Sequence, residues 1–166
     1  MKRRFMSFVI SAIFLCGISN ISIISVKASN NEFKKVDGSY LTMEDSSRGI
    51  TSEKSVTRGK HMMTGECSIS KAGTKRIYAF GATTANHEVD SLAVIVYVDQ
   101  YNEENDEWWQ IDWFMENDKN DYFVYASKSI VVERGYYYRV HADHLVQEGE
   151  DPIEETFSYT DGILVP

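Results

Sequence analysis

Three regimes of hydrophobic patterning succeed one another along the chain. An apolar block runs from Phe5 through Ile18 and more loosely to Val26, a polar stretch occupies 29–64, and from there on apolar positions recur with period 2. In the third regime Glu66–Ser70 and Lys75–Ala82 read as strands joined at Ala72-Gly73. Ser91–Asp99 contains Leu92-Ala93-Val94-Ile95-Val96-Tyr97-Val98, apolar on both faces, and predicts a central strand. The return strand alternates, with Trp109, Ile111, Trp113 and Met115 on the expected core face and Trp108, Gln110, Asp112 and Phe114 on the other. Tyr122–Ala126, Ser129–Val132, Tyr136–His144, Glu155–Tyr159 and Ile163–Val165 complete the set.

Turn signals recur about every 8–12 residues and no long amphipathic helical pattern interrupts them, which is the rhythm of an all-β sandwich. The packed domain is expected over 65–166. Residues 29–64 are too poor in apolar groups to offset their ordering entropy, so a flexible polar arm with one short strand, Ser39–Met43, is expected there.

The first 28 residues read as a cleaved secretory signal. Lys2, Arg3 and Arg4 precede the apolar block, and Val26 and Ala28 stand at −3 and −1 of a cleavage site before Ser29. The expectation is an extracellular protein, with no membrane association once the signal is gone. Removing those residues takes four of the 17 basic side chains and none of the 25 acidic ones, leaving a net charge of −12. A body that acidic repels phosphate backbones, so nucleic acid is not an expected partner. The mature chain keeps one cysteine, Cys67, in phase with Ile69 on a strand, where a buried small hydrophobe is expected. Pairing of Cys67 between chains is the alternative.

The segment Val132-Glu133-Arg134-Gly135-Tyr136-Tyr137-Tyr138-Arg139-Val140-His141-Ala142 resembles the penultimate strand of fibronectin type III and other immunoglobulin-like domains: an aliphatic residue, a turn glycine, then Tyr-x-Val-x-Ala. The resemblance implies an immunoglobulin-like sandwich in which Gly135 forms the turn and the Tyr138 hydroxyl closes a corner. Over a longer span the chain resembles small secreted proteins of unknown function from Gram-positive bacteria. That likeness rests on Tyr40-Leu41-Thr42 with Glu44, Arg58-Gly59, Thr83-Thr84-Ala85-Asn86, the Tyr-Tyr-Arg-Val run ending in His144, and Thr160-Asp161-Gly162-Ile163.

Catalytic and metal signatures are weak. In His141-Ala142-Asp143-His144 the two histidines point to opposite faces of a strand and cannot clasp one ion, so no metal site or cofactor is expected. The acidic loop 101–107 lacks the spacing of a calcium loop and reads as a solvated hairpin tip. No serine sits in a strained nucleophile turn, and no pair of carboxylates stands out. Aromatics are the unusual asset, 8 Phe, 3 Trp and 10 Tyr. Trp108, Tyr137 and His141 are the outward-facing candidates for ligand contact, with Tyr97 and Tyr78 beside them, because rigid amphipathic rings stack on sugars or fill protein pockets. The expected function is therefore a non-catalytic binding module for a cell-surface glycan or protein. A small carboxylate-dependent hydrolase and a structural assembly subunit are the alternatives.

Overall fold

A computed structural model describes residues 33–51 and 59–166; the expected signal, 1–28, lies outside them. The described chain is built of strands: β1 (Lys35–Val36), β2 (Ser39–Thr42), β3 (Ser46–Ile50), β4 (Met62–Lys71), β5 (Arg76–Val89), β6 (Ser91–Asn102), β7 (Glu107–Asp118), β8 (Asp121–Val131), β9 (Tyr136–Gln147), β10 (Glu154–Tyr159) and β11 (Gly162–Val165). They form two packed sheets. One has the order β1-β2-β11-β9-β6-β7, with β10 also on β9; the other has the order β3-β4-β5-β8. The protein is an all-β sandwich, as the period-2 rhythm requires.

The core lies between the sheets. Leu92, Val94, Val96 and Val98 of β6 and Tyr138, Val140, Ala142 and Val146 of β9 meet Cys67, Ile69, Ile77, Ala79, Val124, Ala126 and Ile130 from the facing sheet. Cys67 is fully buried, its thiol approaches the Val140 carbonyl at 3.6 Å, and burial pushes its pKa up to about 11. It is a packing residue with little thiolate character.

Two expectations need correction. The described part of 29–64 carries three strands rather than one, and β4 begins at Met62. β2 pairs in parallel with β11 and β3 pairs with β4, so residues 33–51 belong to the sandwich. Hydrogen bonds supply what apolar burial does not: the Ser39 hydroxyl donates to the Thr160 carbonyl at 2.7 Å and the Thr42 hydroxyl to the Gly162 carbonyl at 2.9 Å.

The second correction is the phase of β7. Its register against β6 slips between Val98 and Asp99, so that Asp112 faces Val98, Gln110 faces Asp99 and Ile111 is left over as a bulge. Beyond the bulge Trp113 and Met115 pair with Tyr97 and Ile95 on the outer face, and Phe114 turns to the core instead. Trp109 keeps the core side but extends past the cover of the second sheet and is 51% exposed.

Gly135 sits in the β8–β9 turn at φ +88°, a conformation that disfavours any side chain, and its N–H donates to the Val165 carbonyl at 2.6 Å. Three residues on, the Tyr138 ring is fully buried and its hydroxyl donates to the Glu133 carbonyl at 2.9 Å. Tyr138→Phe removes that bond and keeps the ring. Urea unfolding should show a loss of about 1–2 kcal/mol; an unchanged midpoint would show that the hydroxyl bond contributes nothing.

Candidate functional site

The outer face of the larger sheet carries one of the protein's groups of unburied rings. Register alone assembles them. Tyr159 of β10 pairs with His141 of β9, His141 with Tyr97 of β6, and Tyr97 with Trp113 of β7, so four rings form one row across four strands. The adjoining row runs Phe157, Asp143, Ile95, Met115. Trp113 is 54% exposed and Phe157 55%, while Tyr97 and His141 are half-buried between them. The Tyr97 and His141 rings stack at 4.6 Å with an interplanar angle of 11°.

The row is anchored from its flank, by the next pair on the same face. Asp99 Oδ2 accepts from His141 Nδ1 and from Arg139 Nε, each at 3.0 Å. Burial acts to raise the Asp99 carboxyl, but the hydrogen bonds and charges of His141 and Arg139 outweigh it and hold the group below the ordinary carboxylate range. An ionised acceptor at Nδ1 fixes the ring's orientation and leaves Nε2 as its remaining nitrogen. Burial, and then the nearby Asp143 carboxylate, raise the Tyr97 phenol, which stays a hydroxyl donor at neutral pH.

Trp108 and Tyr137 lie on this same outer face, as the alternation predicts, but they are not free. Residues of β1 and β2 fold across them, and Val36, Leu41, Tyr101, Trp108 and Tyr137 form a second apolar cluster. Trp108 Nε1 donates to the Val36 carbonyl at 3.1 Å, and the Arg139 guanidinium lies 4.6 Å over its ring. Arg139 also donates to the Asp37 carbonyl and the Ser39 hydroxyl, each at 3.1 Å. A Cβ at Gly162 would stand 2.6 Å from Trp108, so the indole seats on bare backbone. The open platform therefore consists of His141 with Tyr97, Trp113, Tyr159 and Phe157. The last three were missed because their membership depends on strand pairing and on the bulge.

The acidic hairpin tip is less solvated than its composition implies. Tyr101 is buried, and its hydroxyl donates to Asp106 at 2.8 Å, which also pairs with Lys34 at 2.9 Å. An open cleft of about 650 Å³ adjoins it, lined by Gln100, Glu103, Glu104, Trp109, Ile111, Arg134 and Tyr136. The smaller sheet carries its own outer cluster, Phe80, Phe123 and Tyr125, with neighbouring rings 6.0–6.2 Å apart and Tyr78 on the same side.

Ser158 Oγ lies 2.9 Å from His144 Nε2, a nucleophile–base distance, but Ser158 is 2% exposed and His144 wholly buried. Burial depresses the His144 pKa to about 4 and keeps the ring neutral. The pair is a core hydrogen bond with no approach for a substrate. Among the described residues no group of three or more His, Cys, Asp or Glu side chains is placed to hold one metal ion. Neither the curated proteins nor the solved structures contain a match to this chain. A family described only as of unknown function, DUF6147, matches residues 27–161, and the chain belongs to that family.

Proposed function

We propose that this chain is a secreted, non-catalytic binding module that takes a glycan on the row Tyr159–His141–Tyr97–Trp113. The observation that carries the reading is the row itself: four flat rings, in register on four adjacent strands, each with a polar atom at its edge. Strands about 4.8 Å apart make the row roughly 15 Å long, a rigid strip suited to successive sugar rings. A sugar needs an apolar face to stack on and hydrogen-bond groups beside it; the phenols, the imidazole, the indole N–H and the Asp143 carboxylate offer both. Preorganisation by the sheet and by the Asp99–His141 bond keeps the ordering cost of binding low. The enclosed Ser158–His144 pair supports a non-catalytic role, and the Lys2–Arg4 and Val26-x-Ala28 pattern supports secretion.

The test is a glycan array probed with the purified protein, followed by calorimetry on any hit. Trp113→Ala should weaken binding by roughly 10- to 100-fold, the usual worth of a central aromatic contact. An array that stays blank, or a hit that Trp113→Ala binds equally well, would overturn the reading. So would a protein partner that Trp113→Ala alone abolishes.

A further inference from the structure

A second site stands apart from the aromatic row, where the start of β4, the far end of β5 and the β9–β10 loop meet. His61 there is 4% exposed and His87 is exposed; their rings meet edge-on with centroids 5.2 Å apart. The tautomer of each ring is set by its outer partner. The Asn86 amide nitrogen donates to the Lys60 carbonyl at 2.8 Å, which leaves Asn86 Oδ1 as an acceptor, and it accepts from His87 Nδ1. The Asp151 carboxylate has no hydrogen to give, and its Oδ2 lies 2.9 Å from His61 Nε2, so that nitrogen carries the proton.

A neutral imidazole has one N–H, and both rings have spent theirs outward. His61 Nδ1 and His87 Nε2 therefore face each other lone pair to lone pair at 3.4 Å. Two bare nitrogens at that distance repel, and a positive charge between them removes the conflict. Two nitrogens each about 2.0–2.1 Å from a tetrahedral zinc ion stand about 3.3–3.4 Å apart. The outer acceptors on both rings are the arrangement that orients metal-bound histidines and raises their basicity. Among the described residues, the Asp151, Glu154 and Glu148 carboxylates outnumber the Lys60 ammonium they act on, which favours a cation.

We propose that His61 Nδ1 and His87 Nε2 bind a divalent transition cation of the zinc class. They supply two protein ligands, and water reaching the site past the exposed His87 takes the remaining positions. Expected on titrating chelator-treated protein with zinc chloride at neutral pH is one equivalent bound, with the ¹⁵N resonances of His61 Nδ1 and His87 Nε2 shifting and those of His144 unmoved. His87→Gln, an exposed change that should leave the fold intact, should weaken binding at least tenfold. Asp151→Asn should weaken it by roughly 10- to 100-fold through the outer contact alone. Zinc bound at full strength by His87→Gln would overturn the site. So would imidazole spectra that show one proton on the pair and no response to zinc, because a proton then fills the gap.

Discussion

Trp108→Ala should cost about 3–5 kcal/mol of stability, while Trp109→Ala and Trp113→Ala should each stay within about half a kcal/mol of the parent. From alternation alone the expected order is the reverse, since Trp109 and Trp113 share a stripe with Ile111 and Met115. Trp108 is half-buried, yet its loss would open a void among Val36, Leu41, Tyr101 and Tyr137, strand the Val36 carbonyl and uncover the Arg139 guanidinium. Trp109 and Trp113 are 51% and 54% exposed. Urea unfolding followed by far-ultraviolet circular dichroism avoids the change in fluorescence that any tryptophan substitution brings. A midpoint for Trp108→Ala close to that of Trp113→Ala would mean that the β1–β2 segment does not cover this face in solution.

Acid should weaken the fold in a window set by His144. The unfolded ring has a pKa near 6.5, and burial holds the folded ring at about 4. The unfolded state therefore binds the proton first as pH falls. Stability is fully present above pH 6.5, declines by about 1.4 kcal/mol per pH unit towards pH 4, and stops declining below it, a total of about 3 kcal/mol. The contacts agree with a neutral ring. The Thr83 hydroxyl donates to the Ala93 carbonyl at 2.9 Å and so receives His144 Nδ1–H, while Nε2 accepts from Ser158. Asp99 acts in a separate range: its folded pKa lies below that of the free carboxylate, so its contribution is lost only at more acid pH. Chemical denaturation at several pH values, for the parent and for His144→Gln, isolates the effect. The difference between them should change across pH 6.5 to 4 and be constant elsewhere; a constant difference throughout would refute it.

The strands of the sandwich are legible in the sequence because their signal is local. Leu92 to Val98, rich in β-branched residues and apolar on both faces, reads as a central strand, and Gly135 and the Asn117–Asp121 run mark turns that the structure contains. What alternation cannot report is a single extra residue. The pattern of β7 reads the same on both sides of Ile111, and the bulge there carries Trp113 to the opposite face from Trp109. Nor can it report pairing. Ser39 and Thr42 look like arm residues until β11 lies beside them, and His61 and His87 look unrelated until β4 and β5 align. Of the three residues expected to contact ligand, His141 lies on the open row, whereas Trp108 and Tyr137 stand on the right face beneath a segment that looked too polar to pack.

The parallel pairing of β2 with β11 also dictates when this domain can finish folding. The Ser39–Thr160 bond spans 121 positions of sequence, so its two halves are among the most widely separated in the sandwich. During synthesis β2 emerges early, just after its neighbour β1, and must wait for almost every other strand before its second partner, β11, exists. Closing so long a loop is entropically slow, and folding rates fall as contacts become less local. Until then Val36 and Leu41 have no settled seat and the Trp108 face stays uncovered, a state prone to association. The chain thus stays open until β11 has been made.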